Sequence, residues 1–148
     1  MPEEAGERAR EDEREGKSPS TQAGEFVREE MEHIREGEHG ARSPEQAIAI
    51  GLSKARRAGV KLPPPKRGKA RTKTQAKRDL AKARAGHRKK TSRGRSRGAT
   101  KAALKRESRR SASKRALSRH AKRAAARRSA RSRSAAAKKG ARTRKRRR

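Results

Sequence analysis

The second half of the chain is a polycation with almost nothing to bury. Residues 66–148 contain 37 lysines and arginines against two acidic residues, Asp79 and Glu107. Their large apolar side chains are Leu80, Leu104 and Leu117. Because ordering the backbone costs about 1–2 kcal/mol per residue, so few apolar side chains cannot offset that cost by burial. A core built from this half of the chain is excluded, and we expect a disordered, low-complexity tail.

The composition of this tail also favours helix under some conditions. Alanine, arginine and lysine are strong helix formers, but repulsion between like charges opposes helix formation in water. Neutralisation along a phosphate backbone would remove that repulsion, so we expect the alanine-rich stretches to be conditionally helical. The segments TSRGRSRG (91–98) and ARTRKRRR (141–148) are expected to stay extended.

Residues 1–65 have a different charge balance, with 14 acidic and 11 basic side chains. Residues 1–21 read MPEEAGERAREDEREGKSPST, a mixed-charge stretch with few apolar residues, and we expect a disordered leader there. The three prolines at 63–65 predict a stiff polyproline spacer between this half of the chain and the tail.

The stretch GEFVREEMEHIREG (24–37) predicts a first amphipathic helix. At about 100° per residue, its large apolar residues fall within one stripe. Its glutamates lie early, which suits the positive N-terminal end of a helix. Gly37 is a typical residue for the position that follows a helix.

The stretch SPEQAIAIGLSKARRAG (43–59) predicts a second helix. Ser43 is a good N-cap, Pro44 fits the first helical position, and Gln46 completes a capping-box pattern. Gly59 can end the helix. One face carries Ala47, Ile48, Gly51, Leu52, Ala55 and Ala58.

The short linker between the two helices favours an antiparallel helical hairpin over residues 22–62. The fold class is thus expected to be all-α, with disordered flanks. The expected helix–helix contacts are Phe26, Val27, Met31, Ile34, Ile48, Leu52 and Ala55. About seven large apolar side chains supply at most about 20 kcal/mol before entropy, so we expect a marginal hairpin or one stabilised by self-association or a protein partner.

The chain lacks the residue patterns of an enzyme, and no cofactor is expected. It has no cysteine, which excludes disulfides and a cysteine-based zinc site. The segment HIREGEH (33–39) has histidines and glutamates, but a helix that ends at Gly37 favours a solvated helix end, so no metal site is expected. The acidic start and the shortness of the apolar run AIAIGL predict a cytoplasmic protein with neither a secretory signal nor a membrane span.

The polycationic tail is the candidate site, and its natural counter-ion is a nucleic acid. Its net charge of +35 matches about twenty base pairs of duplex DNA. The tail has no aromatic residue to stack on bases and no recognition-helix pattern, which predicts binding without base readout. The candidate phosphate-binding residues are Lys66, Arg67, Lys69, Arg71, Lys73, Lys77, Arg78, Arg88, Lys89, Lys90, Arg93, Arg95, Arg97, Lys105, Arg106, Arg109, Arg110, Lys114, Arg115, Lys122, Arg123, Arg127, Arg128, Arg142, Arg144, Lys145, Arg146, Arg147 and Arg148.

Two resemblances add to this interpretation. Residues 24–64, with the core QAIAI followed by LSKAR, resemble a small bacterial domain family of unknown function. The C-terminal half is similar to the tails of bacterial linker-histone-like, nucleoid-associated proteins, although it is richer in arginine and lacks regular Pro-Ala-Lys repeats. The second resemblance implies duplex DNA as the partner and the nucleoid as the location, and the two departures from its pattern leave RNA open as the alternative.

Three hypotheses about function remain open at this point. The first is compaction of DNA by the tail without sequence specificity. The second is an RNA- or ribosome-associated basic protein, since arginine-rich segments such as RGRSRG suit RNA. The third makes the helical hairpin a protein-interaction module that the tail anchors to the nucleoid.

Overall fold

The computed structural model describes residues 2–85 and 100–146, and these residues form helices and no strand. The chain divides into two compact units, Met1–Ser113 and Lys114–Arg148. The first unit contains α1 (Pro2–Arg14), α2 (Pro19–Glu36), α3 (Pro44–Arg57), α4 (Ala70–Arg84), a helical stretch at 100–105 and a 3₁₀ turn (Arg109–Ala112). The second contains α5 (Lys114–Ala126) and α6 (Ala130–Arg146). The all-α prediction is confirmed.

Helix α2 is longer than the pattern predicted, because its N-cap lies upstream of the apolar stripe. Ser18 accepts a hydrogen bond from the backbone N–H of Thr21, and Pro19 occupies the first helical position. At the other end Gly37 adopts a left-handed conformation, with φ of 88°. The N–H groups of Gly37 and Glu38 both donate to the carbonyl of His33, so the helix ends where the sequence predicted.

Helix α3 has the predicted cap, with one difference. The Ser43 hydroxyl accepts from the N–H of Gln46 at 3.2 Å. The Gln46 side chain accepts from the N–H of Arg42 at 2.7 Å, one residue before the position that a capping box uses. After the helix, Gly59 has φ of 106°, and Val60 N–H donates to the carbonyl of Ala55, which gives the expected termination.

Helices α2 and α3 pack against each other more extensively than any other described pair. The approach is closest at Gly51, where an added Cβ would lie 2.7 Å from the Cα of Val27. Of the predicted contact residues, the structure buries Phe26, Met31, Ile34 and Ala55 and half-buries Val27, Ile48 and Leu52.

The expected disorder of the leader is not confirmed, because residues 2–14 form α1, which packs on α2. Ala5 and Ala9 are buried, and Arg8 Nε lies 2.7 Å from Glu25 Oε2. Alanine is small enough to let two helices approach closely, so a stretch without large apolar residues still forms a contact face. The central cluster consists of Ala5, Ala9, Ala23, Phe26, Ala55 and Val60, with Leu52 and Leu62 at its margin.

The tail is helical over most of its described length. Helix α4 packs on α3, whereas no residue of α5 or α6 is buried. The expectation that residues 141–148 stay extended is wrong for 141–146, which belong to α6. Alanine, arginine and lysine continue a helix once it has begun, and cations favour its negative C-terminal end. Residues 91–98, also expected to be extended, lie outside the described residues.

Candidate nucleic-acid interface

The two acidic residues of the tail lie where parts of it contact the helical hairpin. Asp79, on α4, is 1% exposed and accepts hydrogen bonds from Ser53 Oγ at 2.5 Å and Gln75 Nε2 at 3.2 Å. Arg57 Nε lies 3.7 Å from the same carboxylate. Burial lowers the pKa of neighbouring Arg56, and the charge of Asp79 opposes that change. Asp79 thus fastens the first tail helix to α3.

Glu107 belongs to a second attachment, made mainly by backbone groups. The N–H of Gly40 donates to the carbonyl of Leu104 at 2.9 Å, and that of Ala41 donates to Ser108 at 3.1 Å. Glu107 Oε1 lies 3.4 Å from Arg42 Nη2. A Cβ at Gly40 would collide with the carbonyl of Glu107, so only glycine permits this approach. The segment 104–112 therefore lies against the α2–α3 connection.

The second unit carries the least compensated positive charge. Residues 114–148 contain 17 lysines and arginines and no acidic residue. Every lysine and arginine between 114 and 146 is exposed. With both tail acids engaged elsewhere, these cations can face a polyanion from outside.

Helix α5 places four of its five lysines and arginines on one side, whereas Lys114, in its first turn, lies on the other. Arg115, Arg119, Lys122 and Arg123 have the spacing i, i+4, i+7, i+8 and fall within about 100° of the helix circumference. The opposite side carries Leu117 with alanines. We call these four residues the α5 basic stripe. A rise of about 1.5 Å per residue extends it over about 12 Å, enough to follow consecutive phosphates of one strand.

The predicted phosphate-binding residues are distributed along the tail rather than gathered into one patch. Those within the described ranges are all exposed, except Lys73, which is half-buried. The predicted residues Arg88, Lys89, Lys90, Arg93, Arg95, Arg97, Arg147 and Arg148 lie outside the described residues. The prediction omitted Arg119, although its spacing from Arg115 and Lys122 marks the stripe in the sequence.

A polar cluster forms at the end of α2, where a solvated helix end was expected. Gly37 ends the helix as predicted, but His33 and His39 have side chains only 13% and 10% exposed. Both face Glu30, which is completely buried. Ligand atoms of these three residues all lie within 4.8 Å of one another, and Glu36 is exposed. Sequence reasoning missed Glu30, although the Glu-x-x-His spacing from Glu30 to His33 marks it.

Residues 18–67 match the DUF6496 family, a family of unknown function. The match begins at the N-cap of α2 and extends just beyond the prolines, and it supports the resemblance expected for this part of the chain. No curated protein and no solved structure matches the chain. Nothing in these comparisons supports the likeness of the tail to linker-histone-like proteins.

The DUF6496 segment contains the close approach of Gly51 to Val27 and the cluster around Glu30. It does not contain Asp79, the segment 104–112 or the α5 basic stripe. The match thus covers the helix pair and ends at the start of the polycation. Within the described part of the chain, no helix has both the length and the apolar character that crossing a membrane requires.

Proposed function

We propose that this protein binds duplex DNA through residues 66–148 without reading base sequence, and that it compacts the bound DNA. The supporting observation is the second unit, whose described lysines and arginines are all exposed and which contains no acidic residue. A surface of this kind displaces the counterions that condense on DNA, and their release drives association.

The side chains that the tail lacks support binding without base readout. The chain contains no asparagine and no tryptophan or tyrosine, and its single phenylalanine is buried in the hairpin. The tail has one glutamine, Gln75, and this side chain donates to Asp79. Amides that could pair with adenine, and aromatic rings that could stack on unpaired bases, are therefore missing from the proposed interface.

Bridging of DNA follows from the division of charge. The exposed cations of α4 are fastened to the hairpin through Asp79, whereas those of α5 and α6 belong to a separate unit. One chain therefore offers two cationic units, and a protein with two such units can contact two duplex segments. In this proposal the DUF6496 segment is the folded body that carries the first of them.

Electrophoretic mobility shift of several unrelated duplexes across a salt series tests the proposal. We expect equal affinity for all duplexes and a steep linear fall of log affinity with log salt, with a slope of about −0.9 for each neutralised phosphate. A flat salt dependence, or a strong preference for one duplex, would reject it.

Competition between duplex DNA and structured RNA separates the proposal from the RNA-binding hypothesis. We expect RNA to compete no better than DNA at equal phosphate concentration. A clear preference for RNA would replace DNA as the partner. Compaction is measured separately, as a decrease in the end-to-end extension of single DNA molecules when the protein is added.

A further inference from the structure

The cluster at the end of α2 holds a carboxylate and two imidazoles in a partly enclosed space. Glu30 and His33 lie one turn apart on α2, and His39 lies just beyond Gly37 in the connection to α3. Burying a carboxylate is costly unless its charge is compensated. The arrangement therefore calls for a positive partner at Glu30.

The hydrogen bond of the His39 ring shows where such a partner would lie. Its Nδ1 lies 3.1 Å from the carbonyl of Gly40, which can only accept a hydrogen bond, so Nδ1 carries the hydrogen. In the neutral ring, Nε2 then presents a lone pair. That atom lies 3.3 Å from Glu30 Oε1, which is also an acceptor. Two lone pairs at this distance repel each other unless a proton or a metal ion lies between them.

Lys54 forms an ion pair with one of the two carboxylate oxygens. Its Nζ lies 2.5 Å from Glu30 Oε2, whereas His39 faces the other oxygen, Oε1. Even so, neither oxygen of Glu30 accepts a hydrogen bond from any described residue. Lys54 thus holds Oε2 in place. The other oxygen, Oε1, faces His39 and is free to act as a metal ligand.

We propose that Glu30, His33 and His39 bind one divalent transition-metal ion, and that Zn²⁺ is the best fit. Zinc binds imidazole nitrogen at about 2.0–2.1 Å and carboxylate oxygen at about 2.0–2.2 Å. Tetrahedral geometry then separates two ligand atoms by about 3.4 Å. The Glu30–His39 pair already has a separation of 3.3 Å. Two imidazoles with one carboxylate is a set that zinc accepts and that magnesium and calcium do not prefer.

The fourth position has a candidate in the same connection. Glu38 Oε2 lies 4.0 Å from His33 Nδ1 and is exposed, so it can turn towards the ion, with water as the alternative ligand. The hydrogen bond from His39 Nδ1 to the Gly40 carbonyl is the outer contact that orients many zinc-binding histidines. Gly40 and Ala41 also receive the segment 104–112, so the ion would fix the connection on which that segment docks.

Titration of the tag-free, full-length protein with Zn²⁺, and with Co²⁺ as a spectroscopic probe, tests the site. We expect one equivalent of metal and the visible absorption of tetrahedral Co²⁺. His33→Gln and His39→Gln should each weaken Zn²⁺ affinity by at least about tenfold. Two matched controls should leave it unchanged: His120→Gln, which removes a histidine elsewhere, and Glu36→Gln, which removes an exposed carboxylate beside the cluster.

Absence of stoichiometric metal uptake by the wild-type protein would overturn the proposal, as would equal affinity in the two histidine variants. Circular dichroism of the metal-free variants checks that they keep their helices. Zinc-edge X-ray absorption on the wild-type complex needs no substitution. It should count two imidazole ligands, and a complex without imidazole would place the ion elsewhere.

Discussion

Two glycines inside helices have opposite surroundings. A Cβ added to Gly51 on α3 would lie 2.7 Å from the Cα of Val27, whereas a Cβ at Gly24 on α2 would meet nothing within 4 Å. Alanine is the better helix former by about 1 kcal/mol. At Gly51 the backbone of the facing helix must move to admit the Cβ, and overpacking of this kind costs about 1–3 kcal/mol.

We therefore expect opposite signs for one substitution at these two sites. Gly24→Ala should stabilise the protein by about 0.5–1 kcal/mol, and Gly51→Ala should destabilise it by about 1–2 kcal/mol net. Urea unfolding followed by circular dichroism measures both. A stabilising Gly51→Ala would show that α2 and α3 are not in close contact at this point.

Lys17 makes the stability of the connection between α1 and α2 depend on pH in the alkaline range. Its Nζ lies 2.6 Å from Asp12 Oδ1 and 2.6 Å from Glu15 Oε2. The hydrogen bond with Asp12, followed by that with Glu15, raises the pKa of Lys17 from 10.5 to about 12. Because the folded protein holds this proton more tightly, the contribution to stability is complete below pH 10.5 and is lost as the pH rises through about 12.

The difference in thermal midpoint between the wild type and Lys17→Gln should accordingly be constant up to pH 10.5 and shrink towards pH 12. Lys61→Gln is the matched control, since it removes the same charge from a side chain that is 85% exposed and 3.7 Å from Glu13. The difference in thermal midpoint between Lys61→Gln and the wild type should be smaller than that for Lys17→Gln. A Lys17 effect that persists above pH 12 would contradict the assignment.

At the scale of elements, the two tail acids make attachments of unequal strength. Asp79 is buried and accepts two hydrogen bonds, whereas Glu107 is 29% exposed and faces an arginine that is 80% exposed. A hydrogen bond to a charged group is worth about 1.5–3 kcal/mol, and an exposed ion pair at most about 1 kcal/mol. The attachment of α4 thus depends on its acid, and that of 104–112 depends on backbone hydrogen bonds.

Asp79→Asn should therefore release α4, and Glu107→Gln should leave 104–112 in place. Limited proteolysis with trypsin distinguishes the two variants, because the lysines and arginines of α4 become cleavage sites once the helix leaves α3. We expect faster cleavage between residues 70 and 84 in Asp79→Asn and a wild-type pattern there in Glu107→Gln. Equal cleavage of the two variants would show that Asp79 does not hold the helix.

Two of the four residues of the α5 basic stripe can be moved off it without a change in net charge. Exchanging Arg119 with Ala121, and Arg123 with Ala124, moves two arginines to the opposite side of α5. If the stripe aligns with phosphates, the slope of log affinity against log salt should become shallower by about 2. The mobility-shift assay measures it. An unchanged slope would show that the tail acts through total charge alone.

The sequence predicted elements where the determining chemistry is local. Ser43, Gly37 and Gly59 act within four residues of themselves, so their roles could be inferred from spacing. The packing of α1 was missed because its buried apolar residues, Ala5 and Ala9, are both alanines. The docking of Leu104 against Gly40 joins backbone groups far apart in the chain, which no side-chain pattern encodes. The basic tail was predicted as a site. Which parts of it attach to the hairpin, and which part forms the α5 basic stripe, became clear only from the structure.

For the whole molecule, the division into two units makes the contribution of each to DNA binding separable. Residues 114–148 hold 17 of the 37 basic residues that follow the prolines. The remaining basic residues stay with the first unit, partly on α4, which is anchored by Asp79. Neither unit should therefore account for all of the binding.

Removing residues 114–148 should then reduce the salt slope by about half rather than abolish binding, because the slope counts neutralised phosphates. The truncated chain keeps every residue of the buried cluster, so its thermal midpoint should stay close to that of the full chain. The control keeps full length and replaces the lysines and arginines of 114–148 with glutamine, which separates lost charge from lost chain. A truncated protein with the full slope would place the interface in the first unit. A truncated protein that no longer binds would place it entirely in the second unit, and the bridging of two duplexes by one chain would then have no basis.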